Sequence, residues 1–373
     1  MKKLLYVSFE DSENRASGVN KKINGQMNAF EEEGFLTDLI SHYQSNIAFY
    51  QGNSEAQVIV SNIPWRIALC GWAAKHAAEY DAAYIRFQFF CPFVLNMVRS
   101  FHTAGVKTIM EIPTYPYITE LRKQGLRGVY KRIIDASFRN MCAKYIDCFA
   151  APLYSDRIMG KNCIEIKNGI NVDEVAPRHH QHDPNSIHLL AVAMMAPWHG
   201  YDRVIEGMNQ YYRNGGKDSI TFHLVGQGVA SKGYQEMIEK YQLTNYVIMH
   251  GKLFGDCLDR LYDIADIGVG SLGVHRTEIT KTNTLKILEY YAKGIPVICE
   301  SSEIGIALDD PYRLTVPSEE CAIDIEKVIQ FYKRIYDNNS SETIVQDIRK
   351  ECKNKCSIKS GIQGVIEFLA EET

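Results

Sequence analysis

The feature of this sequence that most constrains its fold is an alternation of short apolar runs with helical patterns, which occurs twice along the chain. In the first pass, residues 3–9 form an apolar run, residues 19–33 carry apolar side chains at helical spacing, and residues 35–40 form the next apolar run. Strands separated by helices of this length form parallel βαβ units. The pattern therefore predicts an α/β chain with parallel sheets.

The alternation stops once and then restarts, which predicts two units of similar size, and 373 residues is the length of about two domains. Ligands of such sheets bind at the carboxyl ends of the strands. The predicted strands lie at residues 3–9, 35–40, 57–60, 83–87, 107–112, 148–151, 163–166, 187–193, 220–225, 247–250, 267–271 and 296–299. The predicted helices lie at residues 19–33, 65–79, 92–104, 118–144, 201–213, 232–241, 256–265, 284–293, 319–336 and 358–369.

Between the two passes, residues 171–186 form a polar, proline-flanked stretch that contains His179, His180 and His182. We expect a solvated linker here. Three clustered histidines are also compatible with metal binding, but no Cys or carboxylate stands at a ligand-like spacing from them. The sequence thus predicts the boundary between the two units in this stretch and no metal site.

Composition limits the classes of function. The chain is 46% hydrophobic and 23% charged, which is typical of a globular protein and excludes a disordered or fibrous one. Its formal net charge of −4 argues against a nucleic-acid partner. The apolar run at the N-terminus is too short for a signal peptide, and no run is long enough to span a membrane. We therefore expect a cytoplasmic protein whose ten cysteines are free thiols.

The segment with the most chemical content is residues 281–298, where a helical pattern is followed by a strand. Thr284 is a suitable N-cap, and Lys286 and Glu289 fall on one face near the helix start. A carboxylate at this position can accept hydrogen bonds from the two hydroxyls of a ribose, while a lysine and the helix dipole favour phosphate. A solvated Lys/Glu pair explains the same residues, and local chemistry alone favours that explanation.

This segment, with Gly294 and Pro296 after the helix, resembles the nucleotide-binding signature of family 4 of the GT-B glycosyltransferases (glycosyl transferases group 1), of the capsular or exopolysaccharide type. Other parts of the chain follow the order of that family. They are Ala16–Val19 as the glycine turn of the first domain, Ile166–Val172 with Asn168 and Gly169 at the domain crossover, Ala191–Arg203 with His199 at the start of the second domain, and then His223–Gly228 with Gly226, Met249–Lys252 and Leu261–Asp266.

The resemblance implies a GT-B fold, with two Rossmann-like domains facing across a cleft. Residues 1–172 would bind the acceptor, residues 173–354 the nucleotide sugar, and residues 355–373 would form a helix that crosses back. It implies a retaining, metal-independent hexosyltransferase, without a cofactor, that moves a sugar from a nucleotide diphosphate sugar to a saccharide or lipid-linked acceptor in surface polysaccharide or glycolipid synthesis. The implied donor-binding residues are Gly18, Asn168, Gly169, His199, Gly226, Lys281, Thr284, Leu285, Lys286 and Glu289, and the implied acceptor-side residues are Glu111, Pro113, Thr114 and Tyr115.

The sequence departs from the family pattern at functional positions. The family's first glutamate, eight residues before Glu289, is Lys281 here, and His199 replaces a lysine at the start of the donor domain. We expect Lys281, Lys286 and a protonatable His199 to neutralise the diphosphate leaving group, with catalytic roles for His199 and Lys286. Glu111 is the best candidate for a catalytic base. A catalytically inactive subunit that binds a partner or sugar is the alternative.

Two further patterns have competing explanations. Residues 268–273 match the Gly-x-Gly-x-x-Gly expression of dinucleotide-binding proteins, but the next predicted helix begins too late for that motif. The other pattern is a basic stretch, either a solvated helix face or a surface for an anionic membrane, and we favour peripheral contact with the inner face of the cell membrane. It contains Arg122, Lys123, Arg127, Lys131, Arg132, Arg139 and Lys144.

Overall fold

The computed structural model divides the chain into two compact units, Met1–Lys167 with Ile358–Thr373, and Asn168–Ser357. The C-terminal helices therefore belong to the first unit. The side chains of residues 18 and 125–127 are outside the description. The structure describes residues 1–13, 18–52, 54–113, 115, 117–118, 125–152, 156–180, 185–277, 279–337 and 339–371.

Strands and helices alternate through both units. The strands are β1 Lys3–Asp11, β2 Leu36–Tyr43, β3 Asn46–Gln51, β4 Gln57–Ile59, β5 Ala82–Arg86, β6 Lys107–Glu111, β7 Cys148–Ala151, β8 Arg157–Ile158, β9 Lys161–Glu165, β10 Ile187–Val192, β11 Ile220–Val225, β12 Val247–Gly251, β13 Ile267–Val269, β14 Val297–Glu300 and β15 Arg313–Val316. The helices are α1 Gly18–Glu32, α2 Trp65–Lys75, α3 Pro92–Thr103, α4 Gly125–Ala143, α5 Tyr201–Arg213, α6 Ser231–Lys240, α7 Asp256–Ile264, α8 Leu285–Lys293, α9 Ile325–Tyr336, α10 Ser341–Lys355, α11 Ile358–Gly361 and α12 Gln363–Ala370.

The first unit is built on a sheet with the strand order β4-β3-β2-β1-β5-β6-β7-β9-β8. Its central strands are parallel, whereas β3, β4 and β8 pair antiparallel with their neighbours. Successive residues of β1 face opposite sides: Leu5 and Val7 pack into one core, and Leu4 and Tyr6 into the other. A strand buried on both faces must be apolar throughout, which explains the uninterrupted apolar runs in the sequence. Ile362 and helix α12 cover the second of these cores.

The second unit is built on a parallel sheet with the order β12-β11-β10-β13-β14-β15. Residues 187–192 of β10 pair in register with residues 220–225 of β11. The chain crosses from β12 back to β13 on the other side of β10, so the direction of strand addition reverses between β10 and β13. In open α/β sheets, this switch point at the carboxyl edge is where ligands bind.

The prediction of a solvated linker at residues 171–186 is wrong. The stretch that follows Asn171 packs on the second unit, and the chain passes between units at Lys167 and again after Ser357. Arg178 is buried and donates to the hydroxyl of Tyr336 at 2.9 Å, while the imidazole of His180 contacts Asp266 at 3.1 Å. The polar side chains of Arg178 and His180, which predicted exposure to solvent, are instead bonded to residues far along the chain. His182 lies outside the described residues.

Element boundaries differ from prediction where a local hydrogen bond decides them. The helix expected from residue 319 begins at Ile325 because the side chain of Asp324 accepts the backbone N–H of Lys327 at 3.2 Å and caps the helix there. The helix expected over residues 118–144 is described from Gly125 onward. No helix in the described ranges is both long and apolar enough to span a membrane.

Candidate donor site in the second unit

The loop that follows β10 positions His199. A 3₁₀ turn, Pro197–His199, is followed by Gly200, which has a φ of +63° and is the N-cap of α5. A Cβ at Gly200 would approach the carbonyl carbon of Leu272 to 2.5 Å, so glycine alone allows the turn to rest on that backbone. The carbonyl of His199 accepts the N–H of Leu272 at 2.9 Å, which fixes the two loops to each other.

The imidazole of His199 is held in one tautomer. Its Nδ1 accepts the backbone N–H of Ala196 at 3.0 Å, so the ring proton is on Nε2. The ring lies parallel to that of buried Tyr201, with centroids 5.5 Å apart. Burial, reinforced by the charge of Lys286, lowers the pKa of His199 to about 3. Burial and the charge of Lys286 therefore favour a neutral N–H donor at His199 over the protonated form that the sequence predicts.

Lys286 contacts the other end of the same tyrosine. Its Nζ donates to the Tyr201 hydroxyl at 3.3 Å and lies 5.5 Å from the ring centroid. Burial lowers the pKa of Lys286 to about 7, although Glu303 acts in the opposite direction. Lys286 and His199 are thus brought together around Tyr201, as predicted, and both are depleted of positive charge. An anion placed between them would raise both pKa values.

The start of α8 is capped by a residue that sequence reasoning missed. Buried Glu303 accepts the backbone N–H of Thr284 at 3.1 Å and its hydroxyl at 2.8 Å. Burial raises the pKa of Glu303. The next two N–H groups, of Leu285 and Lys286, bond to no described residue and are available to an anion. Thr284 therefore orients the helix start, and Leu285 and Lys286 offer its free donors.

Glu289 follows one turn later on α8 and is half-buried. Burial, together with the charge of nearby Glu289, raises the pKa of Tyr262. The hydroxyl of the neighbouring Tyr290 accepts the N–H of Val192 at the end of β10 at 2.9 Å. This bond fixes the helix to the sheet.

The remaining predicted donor residues are structural neighbours of this helix or of the β10 loop. The side-chain amide of Asn168 donates to the Asn283 carbonyl at 2.7 Å, which ties the segment with Gly169 to the approach of α8. Gly226 has a φ of +115°, and a Cβ there would lie 1.9 Å from the Ala193 carbonyl oxygen. Lys281 is exposed and directly precedes the bridge that pairs Thr282 with Glu303.

An ion network next to the His199 loop also escaped sequence reasoning. Arg276 contacts Asp202 at 2.7 Å and Glu320 at 2.6 Å, and this guanidinium holds the pKa of Glu320 at about 2. Buried Arg203 donates to the Cys321 carbonyl at 2.7 Å and contacts Glu300 at 3.2 Å. No group of three or more His, Cys, Asp or Glu side chains in the described ranges is arranged to hold a metal ion.

In the first unit, the surroundings of Glu111 argue against the catalytic role predicted for it. Its side chain is fully buried, 2.6 Å from Arg86 and 3.4 Å from Lys22, and it accepts the Tyr84 hydroxyl at 2.8 Å. Burial alone would raise its pKa, but Lys22 and Arg86, with hydrogen bonds from Tyr84 and Gln26, lower it to about 2. A buried carboxylate whose oxygens already bond to Arg86, Tyr84 and Gln26 is a poor general base for an acceptor hydroxyl.

The other acceptor-side predictions are only partly described. Pro113 and Tyr115 are half-buried and follow β6 at its carboxyl end, and Gly18 begins α1. Thr114 lies outside the described residues.

Comparison with solved structures identifies the fold. The crystal structure of Anabaena Alr3699/HepE in complex with UDP shares 15% identity over 99% of both chains, with a TM-score of 0.59. Sucrose-phosphate synthase from Thermosynechococcus elongatus matches at 13% identity over 99% of both chains, with a TM-score of 0.60. The crystal structure of TarM matches at 11% identity over 100% of this chain and 99% of that one, with a TM-score of 0.62. The fold is GT-B, with two Rossmann-like domains.

Residues 186–333, which include the His199 loop and α8, match the family model described as Glycosyl transferases group 1. This part of the chain is similar to a group 1 glycosyltransferase domain. No curated protein sequence matches the chain significantly.

Proposed function

We propose that this chain is a retaining glycosyltransferase that moves a hexosyl group from a nucleotide diphosphate sugar to a saccharide or lipid-linked saccharide, in the assembly of a surface polysaccharide such as capsule, or of a glycolipid. The second unit binds the donor. In the first unit, Pro113 and Tyr115 contact the acceptor, since they follow a strand at the ligand-binding edge of its sheet.

The observation that carries this proposal is the convergence of three kinds of donor on one place in the group 1 domain. They are the Lys286 amine, the Nε2–H of His199 and the free N–H groups at the start of α8. The departing nucleoside diphosphate gains negative charge as the glycosidic bond breaks, and oriented donors stabilise that charge. In this proposal, Glu289, one turn further along α8, accepts the ribose hydroxyls.

Transfer proceeds without a metal ion in this proposal, because cationic and N–H donors take the role that a metal has in metal-dependent transferases. The choice of nucleotide is guided by the Anabaena protein, whose structures contain UDP, UDP with glucose, and UDP-glucose. Uridine donors are therefore tested first.

The test is binding and slow hydrolysis of a panel of nucleotide sugars by the purified chain, with and without EDTA. We expect saturable binding of one nucleotide class that EDTA does not change and that Glu289→Ala removes. Glu236→Ala, which deletes an exposed carboxylate of the same unit, is the matched control. Binding without any release of nucleotide, even with acceptor-containing membranes added, would favour the inactive-subunit alternative. No binding of any donor would refute the proposal.

We also propose that α4 contacts an anionic membrane. Its surface exposes Val129, Tyr130 and Ile133 next to Arg132. The acid of this helix, Asp135, is buried, where it accepts the N–H of Phe90 and the hydroxyl of Tyr117, each at 2.9 Å. The exposed side of α4 thus combines apolar and basic side chains, which suits an interfacial helix. Arg122 and Lys123 lie outside the described residues.

Sedimentation with vesicles tests the membrane contact. The chain should bind vesicles that contain phosphatidylglycerol, lose binding in high salt, and bind pure phosphatidylcholine poorly. Tyr130→Ser with Ile133→Ser should weaken the binding, whereas Ser137→Ala on the same helix should not. Equal binding to both kinds of vesicle would refute an electrostatic contact.

A further inference from the structure

A second cluster of unusual chemistry lies in the first unit, at the start of α2. The guanidinium of Arg66 is surrounded by aromatic rings, with its Cζ 4.6 Å from the centroid of Trp65, 5.3 Å from Phe9 and 4.9 Å from Phe89. Its Nη2 donates to Oε1 of Gln88 at 2.6 Å. These five residues are called the Arg66 cluster below. Phe9 lies near the end of β1, and Gln88 and Phe89 follow β5, so the cluster is at the carboxyl edge of the sheet.

The charge of Arg66 has no acidic partner among the described residues. No described carboxylate is within salt-bridge distance, and its buried Nη1 forms no hydrogen bond with them. Burial lowers its pKa. Arg86 in the same unit shows the usual arrangement, since it pairs with Glu111 at 2.6 Å. Removing a guanidinium from water without pairing it to a carboxylate costs free energy, and cation–π contacts with three rings offset only part of that cost. An anionic ligand would supply the missing counter-charge.

The surroundings of the cluster add a second cation. The Nζ of Lys131, from α4, lies 5.5 Å from the ring centroid of Phe89. The Arg66 cluster is therefore adjacent to the helix that we assign to an anionic membrane surface. His42, at the end of β2, stacks on Trp65 with centroids 3.9 Å apart and holds that ring in place.

We propose that the Arg66 cluster binds the anionic group of the acceptor, with the guanidinium facing two anionic oxygens. The inference rests on the proposed function and names the acceptor class: a saccharide that carries a prenyl-linked diphosphate. The same chemistry is offered by the carboxylate of a uronic acid. The fork of a guanidinium matches paired oxygens of either group. The diphosphate is favoured because it would lie at the membrane surface, beside α4.

The experiment measures dissociation constants by tryptophan fluorescence, because Trp65 lies in the cluster. The probes are farnesyl diphosphate, glucuronate, and farnesol and glucose as their neutral counterparts, all with saturating nucleotide so that the donor site is filled. The proteins are wild type, Arg66→Gln, Arg66→Lys, and Arg99→Gln, whose arginine is exposed in the same unit. Trp65→Phe should remove the signal.

We expect farnesyl diphosphate to bind more tightly than farnesol, and Arg66→Gln to weaken it by about 10- to 100-fold, the loss of a charge-assisted hydrogen bond. The affinity of Arg66→Lys for farnesyl diphosphate should lie between those of wild type and Arg66→Gln, and that of Arg99→Gln should equal the wild-type affinity. An Arg66-dependent preference for glucuronate over glucose would support the same site with a uronic acid as the source. Equal affinities of wild type and Arg66→Gln for both anions would overturn the proposal.

Failure of this inference and failure of the proposed function give different results. If Arg66→Gln does not fold, as judged by circular dichroism, Arg66→Lys decides: it keeps the charge without the fork, and unchanged affinity for both anions refutes the proposal. If wild type binds no nucleotide, the proposed function fails whatever the probes show. If nucleotide binds equally to wild type and the Arg66 variants while anion affinity does not change, this inference alone fails.

Discussion

Two charged residues, Glu111 in the first unit and Lys286 in the second, have opposite surroundings. In the first unit, Glu111 is fully buried and completed by Arg86, Lys22, Tyr84 and Gln26. In the second unit, Lys286 is half-buried and has Tyr201 as its hydrogen-bond partner, and its pKa is lowered to about 7. A charge that is completed within the protein stabilises the fold. A charge that is partly desolvated and incompletely paired can instead gain a counter-charge from a ligand. Arg66 meets the same description among the described residues.

The largest effect expected from this contrast is on stability. Glu111→Gln should lower the free energy of unfolding by about 3–5 kcal/mol, because it leaves Arg86 buried without its counter-charge. The measurement is urea denaturation. Combining Arg86→Met with Glu111→Leu removes both charges, and this double variant should lose much less. A fall in kcat with unchanged stability in Glu111→Gln would instead restore Glu111 as a catalytic residue.

The contrast also predicts the pH dependence of stability. On one face of the second unit's sheet, His188, His223 and His250 form a hydrogen-bonded ladder with N···N distances of 3.0 and 2.9 Å. Burial, together with the neighbouring histidines, lowers the pKa of His223 from 6.5 to about 4. The unfolded chain takes up this proton first, so the contribution of His223 is complete above pH 6.5 and is lost as pH falls toward 4.

At about 1.4 kcal/mol per pKa unit, that loss amounts to about 3 kcal/mol. Urea denaturation between pH 4 and 8 measures it. His223→Leu should flatten the dependence in this range, and an unchanged slope would contradict the argument. The contribution of Glu111, whose pKa is about 2, is lost only at lower pH, between about 4.5 and 2.

The strands that could be predicted from the sequence are those whose residues are apolar throughout. Both sheets follow from their apolar runs, since parallel strands buried on two faces must be apolar. Strand β3 was missed because its six residues mix polar and apolar side chains, and β15 because it begins with Arg313, which is buried by bonds to distant carbonyls. Local pattern does not contain such partners.

The candidate site divides in the same way. The proximity of His199 and Lys286 was expected because their segments resemble the donor site of a known family. Their protonation was not, because it depends on burial around Tyr201, which no motif specifies. The capping role of Glu303 depends on a hydrogen bond to Thr284, 19 residues away. Among the described residues, Arg66 has no carboxylate partner. Local sequence patterns predict neither observation.

Lys286 should provide the larger share of diphosphate binding. Lys286→Met should weaken a nucleoside diphosphate about 10- to 100-fold and the nucleoside little, because an ionic hydrogen bond to phosphate is lost. Wild-type affinity should also decline as pH rises above 7, where the free amine loses its proton. Calorimetry from pH 6 to 9 measures both effects. Lys286→Arg should retain binding without that decline, and a pH-independent wild type would contradict the assignment.

His199 should have the smallest effect, because it is neutral. Its Nε2–H is a neutral donor, so His199→Ala should weaken the nucleoside diphosphate by about 2- to 10-fold and leave the nucleoside unchanged. Since the pKa of His199 is about 3, its contribution should be constant between pH 6 and 8 unless the bound phosphate protonates the ring. Proton uptake on binding, measured by calorimetry in buffers of different ionisation enthalpy, distinguishes these cases. Equal loss of nucleoside and nucleoside diphosphate would exclude a phosphate contact, and uptake that disappears in His199→Ala would show that the ligand creates the cation that the free protein lacks.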